Sequence, residues 1–180
     1  ASNSSRIFST IMSRCQIIKF FPLKEEEIKN LLVKKHNLSE DEAQILSRLS
    51  RGSIGEALWL KEKDILGKRE LLINNLIHQD NNFWENMFGL AAFKPNFLET
   101  LDILATWFRD LLVLKTGGGE RQLLNFDKKE DLNSFARSYS LESADKIINL
   151  IFELRRETEQ NFNSKLLCQR LLLEMEGAKI

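Results

Sequence analysis

Residues 97–115 read FLETLDILATWFRDLLVLK. The apolar side chains Phe97, Leu98, Leu101, Leu104, Phe108, Leu111 and Leu112 follow the i, i+3, i+4, i+7 spacing of one helix face. Pro95 suits the first turn of such a helix, where a missing N–H costs no hydrogen bond. Gly117-Gly118-Gly119 stops it. A second stripe, Ala144, Ile147, Ile148, Ile151, Leu154 and Arg155, predicts another long helix over 141–160, with Ser140 as its N-cap. Asn161-Phe162-Asn163 breaks that helix, and a shorter one resumes from Leu166 to Met175.

The first third of the chain has a different grain. The run Cys15-Gln16-Ile17-Ile18-Lys19-Phe20-Phe21-Pro22 is β-branched and aromatic and predicts a short extended segment, with any strand confined to residues before Pro22. Three compact helices follow. The first spans Glu25 to His36. The second opens at Ser39, where Ser39-Glu40-Asp41-Glu42 has the form of a capping box. The third is capped by Ser53, after the turn Ser50-Arg51-Gly52, and runs to about Lys63. The pattern as a whole predicts an all-α fold: a small three-helix unit over 22–63, a soft boundary near Asp64 and a helical bundle over 64–180.

Composition excludes several classes of function. Twenty-six basic residues balance 26 acidic ones, so the chain does not coat nucleic acid through bulk charge. A modest positive excess sits in residues 1–63, with 11 basic and 8 acidic side chains. The apolar runs are short and broken by charge, which predicts no membrane span, and the start Ala1-Ser2-Asn3-Ser4-Ser5 has no apolar core of a signal peptide. It also lacks an initiator methionine, so the chain is expected to be the tail of a longer protein. Cys15 and Cys168 stand far apart without a C-x-x-C pair, which points to a reducing cytoplasm rather than a disulfide scaffold or zinc site.

Most candidate sites have a simpler structural explanation. His36 and His78 lack neighbours at metal-ligand spacing, and His36 suits a helix C-terminus as a cation. Glu25-Glu26-Glu27 cannot converge on one ion, because consecutive helical side chains diverge; three acids at a helix start complement the macrodipole. The triple glycine follows a helix, and no Gly-Lys-Ser/Thr occurs, so it is a linker and not a phosphate loop. The pairs Lys34-Lys35, Lys128-Lys129 and Arg155-Arg156 read as solvated faces, and the aromatics on the stripes read as core. Ser13-Arg14-Cys15, just ahead of the extended run, remains. Arg14 is either an ordinary surface arginine or a planar, permanently charged fork for a transferring phosphate.

The stretch Ser9-Thr10-Ile11-Met12-Ser13-Arg14-Cys15-Gln16-Ile17-Ile18-Lys19-Phe20, followed by Pro22 to Ile28, resembles the central region of bacterial DNA polymerase III clamp-loader subunits. In that family T-I-x-S-R-C-Q precedes the lid of an AAA+ module. Leu49 to Leu58 is similar to the family's G-S-x-x-x-A-L helix, and Trp107-Phe108-Arg109-Asp110-Leu111-Leu112 to the W-x-R-D-L-L helix of its C-terminal collar. The resemblance implies that residues 1–21 are the remnant of an AAA+ core, 22–63 the lid and 64–180 the collar. Ser2-Asn3 looks like the end of the sensor-1 strand, so the Walker motifs, and a zinc module common in that core, would lie upstream.

Members that hydrolyse ATP carry arginine two residues after the G-S of that helix, where Gly55 stands here. A glycine offers phosphate no charge. The departure favours the non-hydrolysing, delta-prime branch of the family over the ATP-hydrolysing gamma/tau type, with a generic helical adaptor as a further alternative. For that branch the resemblance implies a stator that holds the ring through its collar. It also implies Arg14 as an arginine finger in trans, with Ser13 and Cys15 as its motif. The expected partners are the gamma/tau and delta subunits, with the sliding clamp and primer-template DNA reached indirectly and no membrane. No cofactor or metal is expected in the chain itself, ATP being bound by neighbours.

Overall fold

The computed structural model describes residues 20–78 and 94–179, together with Thr10, Arg14, Gln16, Ile18, Met87, Gly89 and Ala91. The described residues form eight α-helices: α1 (Glu25–His36), α2 (Glu40–Leu49), α3 (Ile54–Glu62), α4 (Ile65–His78), α5 (Lys94–Lys115), α6 (Lys129–Ala136), α7 (Leu141–Glu159) and α8 (Ser164–Gly177). Two 3-10 turns, Glu120–Gln122 and Phe126–Lys128, bridge α5 and α6. The fold is all-α. No strand occurs among the described residues; their isolated β-bridge pairs Tyr139 with Lys179. The expected extended run is described only at Gln16, Ile18 and Phe20 to Pro22, which lie in no helix or strand; the rest of it falls outside the described residues.

Local chemistry accounts for most helix ends. Ser39 accepts from the Glu42 N–H at 3.3 Å while the Glu42 carboxylate accepts from the Ser39 N–H at 3.2 Å, completing the capping box at α2. Ser53 and Ser140 cap α3 and α7 through the N–H groups of Glu56 and Ser143. Asn163, which reads as a breaker, is instead the N-cap of α8 and accepts from Lys165 and Leu166 N–H, so that helix begins at Ser164. Asn37 ends α1 in the left-handed region at φ 53, a conformation asparagine tolerates better than most residues.

The core is assembled around α5, whose Phe97, Leu101, Trp107, Phe108 and Leu111 are all fully buried. Helix α7 lies along it, contributing Ala144, Ile147, Ile151 and Leu154, and α8 closes the far side with Leu171 and Cys168. Phe108 meets Phe135 and Tyr139 edge-on, with centroids 5.9 and 5.5 Å away. Such pairs add about 0.5–1.5 kcal/mol beyond burial. In the small unit, Ile28 and Leu32 of α1 pack with Ala43 and Leu46 of α2 and Ala57 of α3.

Two helices escape the sequence pattern. In α4 the buried stripe Ile65, Arg69, Leu72, Ile73, Leu76 has an arginine at its centre. Helix α6 is only 8 residues long. The stripe aromatics Phe97 and Phe108 are core as expected, whereas Trp59, Phe152 and Phe162, which lie off the stripes, are 40%, 54% and 56% exposed. Helix faces in a bundle of this size exceed its interior, and some aromatics remain outside.

Candidate functional site

Arg14 is exposed in a turn. Ser13 and Cys15 lie outside the described residues, as do Ser2 and Asn3. The chain is followed again at Phe20, Phe21 and Pro22, the two phenylalanines being 92% and 80% exposed. From there it is hooked to the three-helix unit. The Leu23 N–H donates to the Gly52 carbonyl at 2.9 Å, and Pro22 packs directly on Gly52.

That hook explains the Gly52-Ser53 pair. Gly52 has φ 88, where a side chain is strained, and a Cβ there would lie 2.9 Å from the Pro22 Cα and nearer still to its Cβ. Ser53 supplies the N-cap. Gly55, by contrast, has no structural need to be glycine. It sits exposed in the first turn of α3, and a Cβ would meet nothing nearer than the Ser53 hydroxyl at 3.9 Å. A long side chain fits, and the position carries no charge.

The Trp107 to Leu112 motif is a structural network. Trp107 and Leu111 are core, and Asp110 is fully buried. Its carboxylate accepts from the N–H groups of Leu124 and Asn125 at 3.1 and 2.6 Å, from the Asn125 side-chain amide at 2.9 Å and from Arg109 at 2.6 Å. Arg109 also donates to the Gln122 carbonyl. The buried Asn125 in turn accepts from Arg69 at 3.2 Å, and Arg69 pairs with Asp127. A buried charge persists only when paired and hydrogen-bonded; Arg69 meets this through its two terminal nitrogens, while its Nε is buried without a hydrogen-bond partner. Sequence reasoning missed Arg69 and Asn125. The only available signal was a cation on the apolar stripe of α4.

A cleft of about 620 Å³ opens between α3 and the α5–α7 pair, lined by Arg51, Trp59, Asp102, Thr106, Phe152 and Arg155 among others. Arg155 is committed to Asp102 at 2.7 Å and to Glu159. Other basic pairs are likewise neutralised, Lys128 by Glu70 and Lys129 by Glu120, while Lys34 and Lys35 lie in the last turn of α1 facing solvent. Of the four arginines that line the cleft, Arg69, Arg109 and Arg155 are paired with Asp127, Asp110 and Asp102, and Glu56 and Glu99 face it as well.

Histidine and cysteine chemistry is also constrained. His36 ends α1 and its carbonyl accepts from Lys61 at 3.1 Å. The Cys168 thiol is buried against the Met87 carbonyl, and burial pushes it up to about 12, far from a reactive thiolate. Among the described residues no three His, Cys, Asp or Glu side chains converge as metal ligands, and no helix is long and apolar enough to cross a membrane.

Known proteins align with this sequence. The chain is 24% identical over 180 residues to DNA polymerase III subunit delta' of Bacillus subtilis, covering 95% of the chain and 54% of that protein. It is 28% identical over 176 residues to DNA polymerase III subunit delta' of Escherichia coli, covering 95% of the chain and 51% of that protein. The chain thus spans about half the length of these relatives. Residues 63–177, from the end of α3 to the end of α8, match the model of one protein family. By that match the chain belongs to the family described as DNA polymerase III, delta subunit, C terminal.

Proposed function

We propose that the chain is the lid and collar of a clamp-loader stator. It assembles with gamma/tau-type and delta-type subunits through the collar at 64–180 and does not hydrolyse ATP through its own lid at 22–63. It lends Arg14 to the ATP site of a neighbouring subunit in the cytoplasm. The observation that carries this reading is the alignment of two delta' proteins with 95% of the chain. The exposed Arg14 and the uncharged, unobstructed Gly55 agree with it. So do the apolar side chains left on the collar surface, with Leu141, Phe152, Leu166 and Leu173 each at least 45% exposed.

The chemistry asked of Arg14 is electrostatic. As γ-phosphate transfers to water, charge spreads over its oxygens, and a guanidinium that is always charged and bidentate stabilises that charge. Loss of such an arginine costs roughly 10³–10⁵ in rate in other phosphoryl-transfer systems. The test restores the upstream half, reconstitutes the complex with its ATPase subunits and measures DNA-stimulated ATP hydrolysis. Arg14→Ala should leave assembly intact and nearly abolish turnover. Arg14→Lys should rescue only part, having the charge without the fork, and Arg51→Ala should be near neutral. Wild-type turnover with Arg14→Ala would reduce Arg14 to a surface residue.

A further inference from the structure

The two helical units are joined covalently between α3 and α4, where Asp64 takes φ 50. The buried apolar side chains of the two units form one continuous cluster across this joint, but apolar packing is non-directional. A polar attachment displaced from the joint adds a directional restraint on rotation. Among the described residues, one side chain of the 22–63 unit makes hydrogen-bond and ring contacts with the rest of the chain. It is Arg48, near the end of α2.

Arg48 donates to the Leu123 carbonyl at 3.1 Å, and its guanidinium lies 4.3 Å from the centre of the Phe126 ring. Glu25, at the start of α1, braces it from behind at 3.3 Å. The side chain is only 17% exposed, so the contact is partly shielded from water and salt. A cation near a helix C-terminus needs no partner to be favourable, but that explanation does not require a reach of 75 residues along the chain to Leu123.

The receiving loop is itself immobilised. Leu124 and Asn125 donate to buried Asp110 of α5, and Asn125 and Asp127 hold Arg69 of α4. Force applied at Arg48 therefore passes into two collar helices and not into a slack loop. On the other side, α2 leads directly into the Gly52 turn that holds Pro22 and Leu23.

We propose that Arg48 is a strap that locks the three-helix unit to the collar. With it closed, the Gly52 hook and the segment beginning upstream of Pro22 turn with the collar as one lever, and the cleft beside Trp59 and Phe152 keeps a constant width. The strap is a property of this chain and stands whether or not Arg14 acts as a finger. If it does, Arg48 is a positioning residue for it.

The test measures the distance between the two units in the 180-residue chain. Spin labels are placed at Lys35→Cys and Lys165→Cys, both exposed, in a Cys15→Ser background; the buried Cys168 thiol does not compete for label. Double electron–electron resonance should give one narrow distance distribution. Arg48→Ala should broaden it at least twofold with helicity unchanged. Arg48→Lys should fall between, since it keeps the charge but loses the planar face that covers Phe126. Phe126→Ala should also broaden it, and Arg51→Ala should not. If Arg48→Ala fails to fold, Arg48→Lys and Phe126→Ala decide the question. A distribution already broad in the unsubstituted strap, or one left narrow by these substitutions, would overturn the proposal.

Discussion

Replacing Asp110 with alanine removes the acceptor for four donors at once: the N–H groups of Leu124 and Asn125, the Asn125 side-chain amide and Arg109. Two of these belong to Asn125, which is fully buried, so water cannot replace the carboxylate unless the loop opens. Each buried donor left without a partner costs about 1–3 kcal/mol. Two such donors, partly relieved by loop relaxation, give an expected loss of about 3–4 kcal/mol. For a chain of this size each kcal/mol is about 2–4 °C in Tm, so melting should fall by roughly 10 °C. Asp110→Asn keeps the shape and one acceptor oxygen, and should cost about half as much. Urea unfolding followed by circular dichroism gives the free energies. Amide hydrogen exchange should show Leu124 and Asn125 opening faster while α7 amides do not. A loss under about 1 kcal/mol with Asp110→Ala would refute the claim that this carboxylate holds the loop. The motif containing it would then need a different explanation, such as a contact with a partner subunit.

Three further predictions concern backbone and pH. Gly52→Ala should destabilise the three-helix unit by more than about 1 kcal/mol, because it meets Pro22 at φ 88. Gly55→Ala, with open space around it, should stabilise by about 0.5–1 kcal/mol, and thermal melts of the pair check both signs. Glu42, Glu70 and Glu174 hold their carboxyls below the usual 4.5 through the Ser39 cap, Lys128 and Lys146 respectively. Their folded forms bind fewer protons than the unfolded chain, so this stability is present above about pH 4.5 and is lost as pH falls through the folded values. Ser39→Ala should therefore flatten the acid side of a stability–pH curve, and an unchanged slope would count against the cap.

The sequence alone determined the helical class and most helix positions, because their causes are local. Residues three and four apart share a face whatever surrounds them, and Ser39, Ser53 and Ser140 cap helices through N–H groups no more than three residues ahead. The motif segments that carry the family resemblance are contiguous and legible for the same reason. What the tertiary structure decided depends on pairs distant in sequence. Arg69 breaks the apolar stripe of α4 and is tolerable there only because Asp127 and Asn125 return to it from 58 and 56 residues away. Asp110 reads as one residue of a helix motif and acts as the anchor of a loop 14 and 15 residues on. Trp59 and Phe152 have the hydrophobicity of core residues but remain half-exposed, since a bundle's interior is finite and packing, not composition, selects which side chains fill it. The role of Arg48 is invisible along the chain for the same reason: a charge says nothing of its partner until the fold brings Leu123 and Phe126 within reach.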